Sequence, residues 1–275
     1  MRESVARQDE LNGYWRTLSK RKRRPPVLDQ EHYRVGFRRI ASSTNERAFL
    51  ATVLPRKVAC PDTCLVVRRL VPKEDGEPRE SISTAQSVFL ASLFNSFVCD
   101  FLIRMKITMH LDMHFVNSMP IPRLGCGEPK DAKHYWPVVA RALRLICTTE
   151  EYADLWAEVF PLLPAAAFTS PNVVYGPAQE RDLRERLTQS AAKLTASWST
   201  ACGLHGRTPE RRDTGDRAQT RAEIDALVAH LYGLTKSEFA YILDTFPGLR
   251  KKEMKAFGEF QSRRKALEEY DRLTS

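Results

Sequence analysis

Residues 88–103 read VFLASLFNSFVCDFLI, the most apolar run in the chain. Large apolar side chains recur every four residues in two adjacent stripes, which predicts a helix buried over most of its surface. Ser83 and Gln86 have capping-box spacing and predict that one helix begins there and covers about 86–105. The two stripes consist of Phe89, Leu93, Phe97 and Phe101, and of Leu90, Phe94, Val98 and Leu102.

Two polar residues, Asn95 and Asp100, interrupt this run. The run is also shorter than the roughly 20 apolar residues that a membrane span needs. We therefore interpret it as a core helix and expect no membrane association. The six cysteines have no CxxC spacing, and the N-terminus has no secretory apolar region. Both features favour reduced thiols in a cytoplasmic protein.

The segment before the core helix, residues 33–55, reads YRVGFRRIASSTNERAFLATVLP. It has the pattern of a strand, a polar turn and a second strand. We predict strands at 33–40, 48–54 and 64–71, joined by turns rich in turn-forming residues. The apolar side of this hairpin is expected to pack on the core helix.

The segment after residue 125 has a helical texture. Together with the hairpin, it predicts an α+β fold with a basic tail or linker (1–29), a small target-recognition-like α/β domain (30–125) and a helical C-terminal domain (126–275). Thr235 and Glu238 form a second capping box, for a helix ending near Thr245. The other helices are predicted at 132–147, 150–160, 180–198, 217–232 and 250–273, with a loop at 203–216.

The positive charge of the chain is concentrated near its N-terminus. The 275 residues contain 43 Lys/Arg and 34 Asp/Glu, for a net charge of +9. Residues 1–70 hold 16 of these basic residues and 7 of the acidic ones, and the remaining 205 residues hold 27 of each. A basic field confined to one region predicts a polyanionic or acidic partner there.

Catalytic, cofactor-binding and metal-binding patterns are not recognisable in the sequence. His110 and His114 would share one helix face but have no third ligand, and Cys60 and Cys64 have no second pair. Gly125–Gly127 lacks the preceding strand and following helix of a cofactor-binding turn. Asp244, Glu253 and Lys255 fall at predicted helix ends rather than on the adjacent strands of a nuclease site. We therefore assign no catalytic, cofactor or metal residue to this chain.

The arginines of the hairpin are the strongest functional candidates. On a strand, Arg34 and Arg38 share one face, while Arg39 points to the other. Arg34 and Arg38 could follow DNA phosphates, whose neutralisation supplies most nucleic-acid affinity. Asn45 and Arg47, at the turn, could reach base edges. A solvated strand face remains the alternative for each arginine taken singly.

Three stretches resemble one protein family. They are similar to segments downstream of the catalytic domain in large bacterial DNA N6-adenine methyltransferases. The stretches are residues 33–55 (quoted above), SVFLASLFNSFVCDFLIRMKITMHLDMHFVNSMPIP and AEIDALVAHLYGLTKSEFAYILDTFPGLRKKEMKAFGEFQSRRKALEEYDRL. That family includes single-chain type IIG restriction–modification enzymes and methylases of phage-defence systems. The order and spacing of the motifs agree over about residues 30–275.

The resemblance implies a target-recognition region whose catalytic domain, with its S-adenosylmethionine loop and Asn-Pro-Pro-Tyr motif, lies upstream of residue 1 or on a separately encoded chain. In the family, this region faces the catalytic domain across a cleft for double-stranded DNA, and the target adenine is flipped out. Arg38, Arg39, Asn45 and Arg47 match the recurrent residues and are the expected DNA-side residues. Asn95 is expected to be structural and to bond the loop ending in PIP.

Two other function classes remain open. A protein-interaction module would use the basic hairpin to dock an acidic partner protein, and a salt titration with duplex DNA separates that reading from DNA recognition. A complete small enzyme would need an active site that the sequence does not reveal.

Overall fold

The computed structural model describes residues 28–71, 78–122, 132–164, 167 and 214–274. These residues form an α+β structure, in which small antiparallel sheets precede a mainly helical region. The predicted fold class is therefore confirmed. Nearly all of the predicted 1–29 tail and the predicted domain boundary after residue 125 lie outside the described residues.

The first sheet contains β1 (Arg34–Arg38), β2 (Ala51–Leu54) and β3 (Cys64–Val66), in the antiparallel order β2-β1-β3. The predicted strand 64–71 is divided, because β4 (Leu70–Val71) pairs instead with β5 (Arg79–Glu80). At the division, the Asp29 carboxylate accepts hydrogen bonds from the N–H groups of Arg69 and Leu70, at 3.0 and 2.7 Å. A side chain thus satisfies two amides that a continued ladder would have used.

The predicted 86–105 helix is two helices, α1 (Thr84–Phe94) and α2 (Phe97–Arg104), inclined by 64°. The Ser83–Gln86 capping box is confirmed at the start of α1. The break has a tertiary cause, because the Asn95 amide bonds both the N–H and the carbonyl of Ala51 in β2, at 3.1 and 2.7 Å. Ser96 then caps α2. Asn95 is structural as expected, but its partner is β2 rather than the PIP loop.

Within the described ranges, no single helix is both long and apolar enough to cross a membrane. The α1–α2 pair passes that test only as a bent pair, on length and composition. Most of α1 is buried inside the protein.

Among the described residues, the other predicted helices agree with the sequence pattern except over 250–273, and the short helix at Met113–Asn117 was not predicted. The Thr235–Glu238 capping box is confirmed. The predicted helix 250–273 is wrong, because Gly258, at φ 75°, ends one helix before the next begins. The prediction at 180–198 falls outside the described residues. The helices are α3 (Met113–Asn117), α4 (Ala132–Ile146), α5 (Ala153–Val159), α6 (Thr214–Leu231), α7 (Lys236–Asp244), α8 (Pro247–Phe257) and α9 (Gln261–Thr274).

One apolar core joins the sheet to the helices. Phe49 stacks on Phe94 with 4.3 Å between ring centroids, and Phe37 meets both rings edge-on. The apolar side of the hairpin therefore packs on α1, as predicted. Helix α1 also packs on α4, which contacts α6, and α6 packs on α9. The core positions the turn between β1 and β2 at the surface.

Candidate nucleic-acid interface

The turn of residues 42–47 (SSTNER), here called the 42–47 turn, is closed by its own polar groups. Thr44 N–H donates to Ser42 Oγ at 3.2 Å, and Asn45 N–H donates to the Ser42 carbonyl at 3.1 Å. Arg38 donates from Nη2 to the Arg47 carbonyl at 3.1 Å. In the amide orientation that satisfies its neighbours, the Asn45 side-chain oxygen accepts from Arg38 and from Ser42 N–H. Three of the five predicted site residues thus meet at this turn.

Arg104 of α2 fixes the turn from beneath. Its guanidinium donates to the carbonyls of Ser43, Asn45 and Glu46, at 3.0, 2.5 and 2.8 Å. Three turn carbonyls therefore face the protein. The side chains of Ser43, Thr44 and Glu46 remain exposed, so the turn presents two hydroxyl groups, one carboxylate and little backbone carbonyl oxygen to solvent.

Arg47 points into the protein and not toward solvent. Its Nε lies 2.8 Å from the carboxylate of Asp100, which is fully buried. Its guanidinium also donates to the Asn95 carbonyl and lies over the ring of Phe97, 4.1 Å from the centroid. Its side chain is only 18% exposed. Arg47 therefore shapes the turn, and its position does not support the expected contact with base edges.

Asp100 connects the turn to the core. Its oxygens accept from the Ala48 N–H at 3.1 and 3.2 Å, from Arg47 and, at 2.8 Å, from Arg104 Nε. The sequence pattern missed both Asp100 and Arg104 as site residues. The available signal was the presence of an acid within the most apolar run of the chain, since a buried carboxylate requires a cationic or hydrogen-bonding partner.

The other two predicted residues lie away from the turn. Arg34 is 7% exposed and donates to the Val58 carbonyl at 2.5 Å, so burial leaves little of it accessible to a phosphate. Arg39 is partly exposed and pairs with Asp112 at 2.9 Å and Asp62 at 2.5 Å. Its hydrogen bond to Asp112 and the charge of Asp62 raise the pKa of Arg39. Of these two arginines, Arg39 has the larger solvent access, although two acids already accompany it.

The net positive charge around the hairpin is smaller in the folded structure than a count of charges along the sequence indicates. Four arginines between residues 39 and 69 form ion pairs with acids contributed from beyond residue 71. Counting charge along the chain therefore overstates the basic field at this sheet. The pairs are Arg39–Asp112, Arg47–Asp100, Arg56–Glu158 and Arg69–Glu80.

A second buried acid, Asp225 of α6, lies next to this network. Its Oδ1 accepts the Phe97 N–H at 2.8 Å. Burial raises the pKa of Asp225 from 3.8 to about 6, against opposing effects of the Arg47 charge and the Phe97 N–H. The folded state therefore holds this proton more tightly than the unfolded chain. The stability that this provides is fully present below the unfolded pKa and is lost as the pH rises through the folded pKa.

We expect Asp225→Asn to remove the loss of stability that the unaltered protein shows as the pH rises. Two pKa units correspond to at most about 3 kcal/mol. Asparagine keeps an acceptor for the Phe97 N–H. Urea unfolding between about pH 4 and 7 should show the variant gaining stability relative to the unaltered protein as the pH rises. A difference that does not change with pH would contradict the assignment.

The histidines and cysteines considered as metal ligands do not form a site. His110 forms a bridge with Ile40, whereas His114 lies on α3, so the two do not share a helix. Cys60 and Cys64 are free thiols. Among the described residues, no group of three His, Cys, Asp or Glu side chains could hold a metal ion. Gly125–Gly127 lies outside these residues.

Comparison of the chain with protein-family models, with curated proteins and with solved structures found no match.

Proposed function

We propose that this chain is a cytoplasmic DNA-recognition module, the C-terminal part of an S-adenosylmethionine-dependent, site-specific DNA (adenine-N6) methyltransferase or restriction–modification enzyme. Methyl transfer and cofactor binding would belong to a catalytic domain upstream or on a separate chain. The observation that carries the proposal is the 42–47 turn, which three of the family-matching residues and Arg104 hold in one conformation at the surface.

The chemistry of this turn suits contact with a duplex. Hydroxyl groups and backbone N–H groups bind phosphate oxygens and position a protein on DNA. At this turn, carbonyl oxygens that would repel a phosphate are directed toward Arg104 and Arg38. Because these hydrogen bonds already fix the backbone, little ordering entropy remains to be lost on binding. In this proposal, Arg38, Asn45 and Arg47 position the turn, and exposed groups on and beside it meet the DNA.

The first test is a titration of duplex DNA binding against salt concentration. Each phosphate contact should contribute a slope of about −0.9 to the plot of log K against log salt. A slope steeper than about −3 would support DNA recognition. Absence of binding to duplex DNA, with binding to an acidic protein instead, would overturn it and favour the protein-interaction reading.

A single substitution locates the contact. Ser43→Glu places a carboxylate on the outer side of the turn, where the side chain is exposed. We expect roughly a tenfold loss of duplex affinity, because repulsion replaces one phosphate contact. Ala157→Glu adds the same charge at an exposed position of α5 and should change affinity much less. Fluorescence anisotropy with a labelled duplex measures both. Equal losses would show that net charge, and not the turn, determines binding.

A further inference from the structure

Helix α8 (Pro247–Phe257) differs from the other long helices in that it has no buried residue. It carries four exposed cationic side chains on 11 residues, against one acidic residue. Such a helix contributes little to the apolar core, so its composition is free to serve a surface role. The four cations are Arg250, Lys251, Lys252 and Lys255.

One side of α8 rests on the 42–47 turn. A Cβ atom added at Gly248 would lie 3.7 Å from the Thr44 carbonyl oxygen. One turn further, Lys252 Nζ lies 2.9 Å from the Glu46 carboxylate. Helix α8 and the 42–47 turn are therefore neighbours that form a continuous surface, although about 200 residues separate them in sequence.

The other three cations of α8 are all exposed and are here called the cationic arc of the helix. At about 100° per residue, Arg250, Lys251 and Lys255 lie within an arc of about 140°. None of them forms an ion pair with a described residue, and Glu253 is occupied by Ser262, at 2.8 Å from its N–H and 2.5 Å from its Oγ. These three charges therefore face solvent together.

The neighbouring helices α7 and α9 differ from α8, because acids nearby form ion pairs with most of their cations. This contrast shows that α8 is not simply one more surface with mixed charges. Most of the exposed cations around it are in ion pairs, namely Lys236–Asp271, Arg263–Asp244, Arg264–Glu259, Arg264–Glu268 and Arg272–Glu269.

We propose that the cationic arc of α8 (Arg250, Lys251 and Lys255) binds the phosphate backbone of duplex DNA alongside the 42–47 turn; this rests on the proposed function. From residue 250 to residue 255 the helix rises by about 7.5 Å. A duplex carries about four phosphate charges over that length. The three cations would offset most of these charges, and the exposed hydroxyl groups of the adjoining turn supply uncharged donors to the same backbone.

A membrane surface is the competing partner, because Met254 and Phe257 are exposed on this helix at 46% and 60%. A helix that lies in a membrane interface separates an apolar face from a cationic one. On α8, Met254 lies between Arg250 and Lys251 around the helix axis, so no separate apolar face exists. This arrangement favours the polyanion.

The test is the triple variant Arg250→Gln, Lys251→Gln, Lys255→Gln in the full chain. We expect duplex affinity to fall roughly a hundredfold at about 0.1 M salt, and the salt slope to become shallower by about 0.9 for each phosphate that the variant no longer neutralises. The matched control, Lys236→Gln, Arg263→Gln, Arg264→Gln, removes the same charge from α7 and α9 and should change affinity only slightly. The thermal midpoint of the α8 variant should stay unchanged, since none of the three side chains forms an ion pair with a described residue.

The outcomes separate the two proposals. If the unaltered chain fails to bind duplex DNA, the proposed function fails and this inference with it. If the chain binds and Ser43→Glu weakens binding, but the α8 variant matches its control, only the inference is overturned. Binding to vesicles containing phosphatidylserine that disappears in the α8 variant, with DNA affinity intact, would also overturn it in favour of a membrane.

Discussion

Asp100→Ala should lower the free energy of unfolding by about 3–5 kcal/mol, the range found when one partner of a buried ion pair is removed. The carboxylate is fully buried and lies 2.8 Å from Arg47 Nε and 2.8 Å from Arg104 Nε. Alanine would leave both guanidinium groups without their buried counter-charge and the Ala48 N–H without its acceptor. Urea unfolding followed by far-ultraviolet circular dichroism measures the change.

Asp62→Ala provides the matched control. Asp62 also pairs with an arginine, Arg39, but its side chain is 82% exposed. Exposed ion pairs contribute at most about 1 kcal/mol, so this variant should unfold almost as the unaltered protein does. If both variants had the same reduced stability, Asp100 would not be the centre of a buried network. The turn would then need another explanation for its conformation.

The network under the turn changes how the arginines of the hairpin are interpreted. Residues 28–71 hold few acids, which predicts arginines free to meet a polyanion. In space, Asp100 and Asp112 arrive from more than 50 residues away and occupy Arg47 and Arg39. Ion pairing at such separations cannot be derived from spacing or periodicity, because it depends on how α2 and α3 pack against the sheet. A surplus of charge along a sequence is thus weak support for a surplus at a surface.

Features that depend on residues close together in the sequence were predicted better than features that depend on contacts between distant residues. Both capping boxes were predicted correctly, because each consists of contacts between residues three apart. The break at Asn95 was not predicted, since an uninterrupted apolar periodicity continues through it and the cause is a bond to Ala51 in another element. Gly258 carries a local signal for the end of a helix, because glycine commonly occupies the left-handed position there, but the prediction of one helix over 250–273 ran through it.

At the candidate site, too, the local features were predicted and the features that depend on the fold were not. Asn45 and Arg38 were identified from the hairpin pattern, and they meet at the turn. Helix α8 was assigned to a neutral region and received no functional role, because its cations are cancelled by acids elsewhere when charge is summed over residues 71–275. Only the fold shows that those acids face other arginines.

Phe97→Ala should also lower the free energy of unfolding by about 3–5 kcal/mol, through loss of buried area and formation of a cavity. Phe97 is 3% exposed, its ring meets Phe246 edge-on at 4.8 Å, and Arg47 lies over its face. The sequence already predicted burial here from the apolar stripe. The structure adds that the ring supports the guanidinium that shapes the 42–47 turn.

Phe101→Ala is the control on the same stripe, one helical turn further along. Phe101 is only partly buried, and the ring that it meets, Tyr241, is 67% exposed. We expect this variant to lower the free energy of unfolding by roughly half as much or less. The Phe101 ring buries less apolar area on folding, and water can enter the space that it leaves. Equal costs would contradict the difference in burial between the two rings.

Phe97→Leu separates the two roles of the ring. Leucine restores most of the volume, so the cavity cost should largely disappear, but it offers no aromatic face to Arg47. A residual loss of about 0.5–2 kcal/mol is expected from the cation–π contact. If the turn depends on Arg47 being held in place, Phe97→Leu should also weaken duplex binding at temperatures where the protein remains folded. Full recovery of stability with unchanged DNA affinity would mean that Phe97 acts only as core, and that Asp100 and the Asn95 carbonyl are sufficient to hold Arg47.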